Sequence, residues 1–155
     1  MAGYDKLTPE GKKFYAELEK LKQNEVFIGY QAGHAKHTDE DGNTADMAEI
    51  AMFNELGTST SPPRPFLRMT VDENKDKINQ FVETQTKRIA QGASAEQCMK
   101  QMGAFGVSLV QEKIGNGTFA PNAESTIKAK GSDKPLIDTG QLRQSVHYVI
   151  KKGGS

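Results

Sequence analysis

The chain has 155 residues, 20 basic against 20 acidic, one cysteine and 35% apolar content, which suits a single domain, spanning 1–155, with a modest core and no overall field to attract phosphate backbones. The lone Cys98 excludes an intrachain disulfide and argues against a cysteine-based zinc site, in keeping with a reducing compartment. No signal-type apolar run opens the chain and no stretch approaches the ~18 uninterrupted apolar residues of a membrane span, so synthesis in the cytosol with no membrane partner is expected.

Thr8, Pro9 and Glu10 read as a helix start, with Thr8 as cap and Pro9 in the first turn. Phe14, Leu18 and Leu21 then form one apolar stripe, and Asn24 ends the helix. Val26, Phe27, Ile28, Gly29 and Tyr30 have the β-branched and aromatic content of a strand. Residues 31–43 lack apolar periodicity and read as one long flexible loop, of a length that usually serves binding. A helix is expected over 44–56, with Met47, Ile50, Ala51 and Phe53 inward and Gly57 as its stop.

Between that helix and the next lies a segment that can be neither helix nor central strand. Gly57 can adopt the left-handed conformation, while Pro62, Pro63 and Pro65 lack amide donors and push Ser61 and Arg64 toward extended geometry. It reads as a stiff connector with Pro65 at a helix start, or as a preformed contact that offers Arg64, Phe66 and Arg68 at little entropic cost.

From Phe66 a long helix is expected to reach Gly92, its apolar face being Val71, Ile78, Phe81, Val82 and Ile89. Ser94 and Gln97 have capping-box spacing and open another helix, with Cys98, Met102, Phe105, Leu109, Val110 and Ile114 on one side. The two form a helical hairpin. Gly103 and Gly106 cost such a helix ~1 kcal/mol each against alanine, so another element is expected to approach the backbone there. Residues 118–134 are polar. After a turn at 135–140, Gln141, Leu142 and Arg143 lead into an alternating strand from Ser145 to Ile150. Two strands alone are marginal, so weaker segments or a neighbouring subunit must complete the sheet.

Charge is unevenly placed. Asp39, Glu40, Asp41, Asp46, Glu49 and Glu55 occupy 38–56 without any lysine or arginine, whereas Lys128, Lys130, Lys134, Arg143, Lys151 and Lys152 face only Asp133 and Asp138 after residue 125. Such patches can be solvated surfaces or can meet head to tail between copies.

Catalytic patterns are weak. His34 and His37 with Asp39 and Asp41 have ligand chemistry, yet neither helical zinc spacing nor the glycine position of a calcium loop. A metal-dependent enzyme using them is one alternative reading. Asp138, Ser145 and His147 are triad residue types without a nucleophile elbow. A nucleic-acid-binding accessory protein using the carboxy-terminal lysines is another alternative. Neither a catalytic residue nor a cofactor is assigned.

The run Ala48, Glu49, Ile50, Ala51 with Asn54, Glu55, Leu56, Gly57 and Thr58, followed by Pro62, Pro63, Arg64, Pro65, Phe66, Leu67 and Arg68, resembles the tail-completion, or neck, family of tailed bacteriophages. Lys134, Pro135, Leu136, Ile137, Asp138, Thr139, Gly140, Gln141, Leu142 and Arg143, with Ser145 and Val146, resemble the closing motif of those proteins and of the related virion-morphogenesis family. The resemblance implies an α+β fold, a small antiparallel or mixed sheet flanked by the long helical hairpin and shorter helices. It implies a non-enzymatic virion protein, assembled in the bacterial host cytoplasm into a homo-oligomeric ring, a hexamer. That ring would meet the tail tube on one side and a head-closure or connector protein on the other, with genome DNA passing through. Glu55, Gly57, Pro62, Pro63, Arg64, Pro65, Phe66 and Arg68 become candidate subunit or partner contacts, and Asp138, Gly140 and Arg143 a structural turn near the ring interface.

Overall fold

A computed structural model of the protein describes residues 3, 6–38, 41–42, 44–116 and 140–153. The chain is an α+β protein. Its elements run α1 (Pro9–Gln23), β1 (Asn24–Gly29), β2 (Lys36–Thr38), β3 (Thr44–Asp46), α2 (Met47–Leu56), α3 (Phe66–Glu73), α4 (Lys75–Ala90), α5 (Ala95–Asn116), α6 (Gly140–Ser145) and β4 (His147–Lys152). The described strands form two two-stranded sheets, β1 with β4 and β2 with β3. Contacts divide the chain into two compact units, each assembled from separate segments.

The first unit comprises Met1–Ile28, Lys75–Gly106 and Tyr148–Ser155. α1 begins as its sequence dictates: Thr8 Oγ1 accepts the Gly11 N–H at 3.0 Å, Pro9 occupies the first turn, and Asn24 caps the far end. The Gly153 N–H donates to the Gln23 carbonyl at 2.6 Å, which sets the end of β4 beside the start of β1, an antiparallel pair. α4 and α5 form the expected hairpin. Gly92 turns the chain at φ 107°, and Ser94 and Gln97 make a reciprocal box, Gln97 N–H to Ser94 Oγ at 3.1 Å and Ser94 N–H to Gln97 Oε1 at 3.4 Å. Between the helices Phe81 stacks on Phe105, and the buried Cys98 thiol lies 3.5 Å from the Gln85 carbonyl.

Gly103 and Gly106 of α5 sit where the sequence asks for close approach. A Cβ on Gly103 would overlap the Tyr148 ring, and one on Gly106 would overlap the end of the Ile28 side chain. Glu17, on the inner side of α1, is buried. Its carboxylate accepts the Ala95 N–H at 2.8 Å and pairs with Lys20 at 3.2 Å, so a residue from a distant helix caps α5. The bond from Ala95 holds the Glu17 carboxyl below its ordinary value, against a smaller opposing effect of burial.

The second unit comprises Gly29–Asn74 and Val107–His147. Its core is Met47, Ala51, Phe66, Val110, Ile114, Leu142 and Val146. β2 and β3 pair antiparallel, Lys36 opposite Asp46, His37 opposite Ala45 and Thr38 opposite Thr44.

Several expectations are corrected. The stretch 31–43 is not one loop, since it contains β2, and 44–46 is β3 rather than the first turn of a helix. Asp46 accounts for the later start: its carboxylate takes the Ala48 N–H at 3.0 Å and the Gly33 N–H at 2.6 Å, capping α2 and fastening the preceding turn. The helix expected over 66–92 is broken at Asn74, whose side chain takes the Thr70 carbonyl at 2.7 Å in competition with the helical ladder. Ser145 closes α6 instead of opening the last strand. Phe53, Val71 and Val82, expected inward, are exposed. Residues 117–139, including the polar stretch 118–134 and the turn at 135–139, lie outside the described residues.

Candidate functional site

α2 has apolar residues around most of its circumference, more than one buried face can use. Met47 and Ala51 enter the core. Met52, Phe53 and Leu56 do not, being 48%, 49% and 71% exposed. At spacings of one, three and four residues they form a continuous apolar stripe that runs to the last residue of the helix.

Gly57 follows at φ 77°, its N–H donating to the Phe53 carbonyl at 2.8 Å. A Cβ here would stand 2.8 Å from the Pro63 nitrogen, so the turn needs glycine both for its backbone angle and for the return of the proline segment. Within that segment Thr58 Oγ1 accepts the Ser61 N–H at 3.1 Å and the Thr60 N–H at 3.3 Å. The Arg64 N–H reaches back to the Asn54 carbonyl at 2.5 Å. Pro65 supplies no side-chain cap to α3. Glu55 does so in its place, taking the Leu67 N–H at 2.8 Å and the Arg68 N–H at 3.2 Å. The proline segment is therefore tied down at both ends by α2.

The residues singled out in sequence separate into three groups. Pro62, Pro63, Arg68, Gly140 and Arg143 are exposed, and Gly57, Arg64 and Pro65 are half-buried. Glu55 is half-buried and committed to the cap of α3. Phe66 is a correction: it is fully buried, so it cannot be presented to a partner. Its ring packs edge-on against Tyr30, centroids 6.0 Å apart, and the Tyr30 hydroxyl donates to the Leu142 carbonyl at 2.6 Å. Burial pushes the Tyr30 phenol up. Phe66 and Leu142, from the two motifs, thus share one core, and α2 also packs on α6. Asp138 lies outside the described residues.

The residues of the alternative readings have other surroundings. His34 stacks on His147 with ring centroids 4.2 Å apart, while His37 Nδ1 lies 2.8 Å from Gln141 Oε1. Gln141 also bonds the Lys36 carbonyl, joining α6 to the β2 strand. Asp41 is exposed and Asp39 is outside the described residues, among which no three or more His, Cys, Asp and Glu side chains gather as a metal set. His147 Nδ1 lies 3.1 Å from the Ser145 carbonyl, an acceptor, which places the ring proton on that nitrogen. Arg143, Lys151 and Lys152 are exposed, whereas Lys128, Lys130 and Lys134 are outside the described residues.

The fold and site define an α+β protein with a solvent-facing apolar helix stripe and a braced proline segment. Compared with protein-family models, curated proteins and solved structures, the chain matches none. Among the described residues no helix is long and apolar enough to cross a membrane.

Proposed function

We propose that this chain is the non-enzymatic subunit of a homo-oligomeric ring at the head-tail junction of a tailed bacteriophage, a tail-completion or neck component. The ring joins the tail tube to the head-closure or connector protein and lets genome DNA pass without reading its sequence. The observation that carries the reading is the exposed stripe of Met52, Phe53 and Leu56, set against a rigid proline segment. A contiguous apolar stripe is costly in water and marks a surface built to be covered. The residues supporting the family resemblance supply the particular assembly: the segment from Ala48 to Arg68 and the closing segment that contributes Gly140 and Arg143. Each two-stranded sheet has strand edges to which a neighbour can add, and an acidic 38–56 region opposes a basic carboxy-terminal region.

Cryo-electron microscopy of the intact particle tests this directly, since ring density at the neck that fits this chain is the expected result. Particles whose neck contains no copy of the chain refute it.

A further inference from the structure

On α2, Glu49, Phe53 and Leu56 stand at i, i+4 and i+7, in line along one side of the helix, and all three are exposed. On α4, Lys77, Phe81 and Thr84 repeat that spacing. With Gln80 and Phe105 they line an open groove of about 300 Å³. The aromatic part of this groove is the stacked pair Phe81 and Phe105, centroids 4.1 Å apart and planes within 3°. Among the described residues neither Glu49 nor Lys77 belongs to an ion pair.

We infer that the α2 stripe of one copy docks in the α4–α5 groove of a second copy, laying Phe53 and Leu56 over the stacked rings and Glu49 beside Lys77. The inference rests on the ring reading and adds which surface meets which. Matching helical spacings let the two stripes lie in register over two turns. Charge selects the direction: a parallel arrangement sets Glu49 against Lys77, whereas an antiparallel one sets Leu56 against Lys77. Charge also disfavours the self-pairing of α2. That helix has no lysine or arginine, so a second α2 stripe offers Glu49 no opposite charge, and a parallel pair sets Glu49 against Glu49. A donor stripe that differs from its acceptor groove makes a heterologous contact, the kind that propagates into rings. Apolar anchors over an aromatic floor, rimmed by one charge pair, are the arrangement in which a few residues dominate binding.

The full-length double variant Leu56→Cys with Thr84→Cys tests the contact, because Cys98 is buried and stays out of the reaction. Mild oxidation is expected to give a ladder of multimers on a non-reducing gel that collapses with reductant. Leu56→Cys alone giving dimers as readily would mean α2 pairs with itself, and overturns the inference. Native mass spectrometry reads the same contact without cysteines. Leu56→Asp and Lys77→Glu are each expected to lose the oligomer of the unaltered chain, and Glu49→Lys combined with Lys77→Glu to regain it, with circular dichroism unchanged throughout. An oligomer that survives Leu56→Asp and gives no ladder overturns this contact and leaves the ring standing. A chain that stays monomeric and gives no ladder also overturns the contact, while the ring itself is decided by neck density in the particle.

Discussion

Glu55 lies twelve residues before Leu67 in sequence, yet its carboxylate oxygen accepts the Leu67 N–H at 2.8 Å and makes α2 the cap of α3. The second oxygen takes the Arg68 N–H, so the negative charge spans the positive end of the helix. The proline segment between them is thereby a closed bracket.

Removing that clasp has a defined cost. Glu55→Ala is expected to destabilise the protein by about 0.5–2 kcal/mol, the range for a lost helix cap, and Glu55→Gln by less because one acceptor oxygen remains. Urea denaturation checks it, and an unchanged midpoint for Glu55→Ala refutes the capping role.

Gly57→Ala meets two obstacles at once, a φ of 77° and a Cβ 2.8 Å from the Pro63 nitrogen. The expected loss is about 1–3 kcal/mol, the scale of a strained backbone position. Limited proteolysis should show earlier cleavage within 57–65 than in the unaltered protein. Equal cleavage rates and equal stability would mean the segment can move aside freely.

Gly103 and Gly106 of α5 should respond unequally. Alanine raises helix propensity by ~1 kcal/mol at either site. At Gly103 the new methyl strikes the Tyr148 ring carbons, which cannot yield without moving β4, and overpacking of ~1–3 kcal/mol outweighs the gain. At Gly106 it meets the flexible end of Ile28, which can rotate. Gly103→Ala is therefore expected to melt at a lower temperature than Gly106→Ala, and the reverse order would contradict the packing described for β4.

Glu17 predicts a dependence on pH. Its folded carboxyl titrates below the ordinary value of 4.5, so its stabilising contribution is complete above that value and is lost as pH falls through the lowered one. Glu17→Gln cannot ionise and should flatten the acid limb of the stability curve measured by thermal melting between neutral and acidic pH. An acid limb identical to that of the unaltered chain would assign the pH sensitivity to other carboxylates.

What could be read from sequence was whatever is local. Thr8 with Pro9, Ser94 with Gln97 and the stop at Gly57 each signal a helix boundary through residues one to three positions apart, and each stands where expected. Gly103 and Gly106 also announced a close neighbour, though not that it would be Tyr148 and Ile28. Long-range choices were not legible. Glu17 looks like an ordinary solvated helix acid and Glu55 like a candidate contact until the distant N–H groups of Ala95 and Leu67 are brought to them. Phe66 read as a displayed side chain because it follows a proline run, but Tyr30 and Leu142 supply a core for it from elsewhere. The outward stripe of α2 left one trace, an excess of apolar residues around the helix; periodicity put both Ala51 and Phe53 inside, and only Ala51 is buried.

Cys98 is fully buried between the paired helices, its thiol directed at the Gln85 carbonyl and made harder to ionise by burial. A thiol in that position is a clock. A soluble thiol reagent meets it only during excursions that separate α4 from α5, so its rate of modification counts those openings in a chain with no competing sulfhydryl. Any partner that clamps the hairpin will slow the clock, and the slowing measures, in free energy, how firmly it does so.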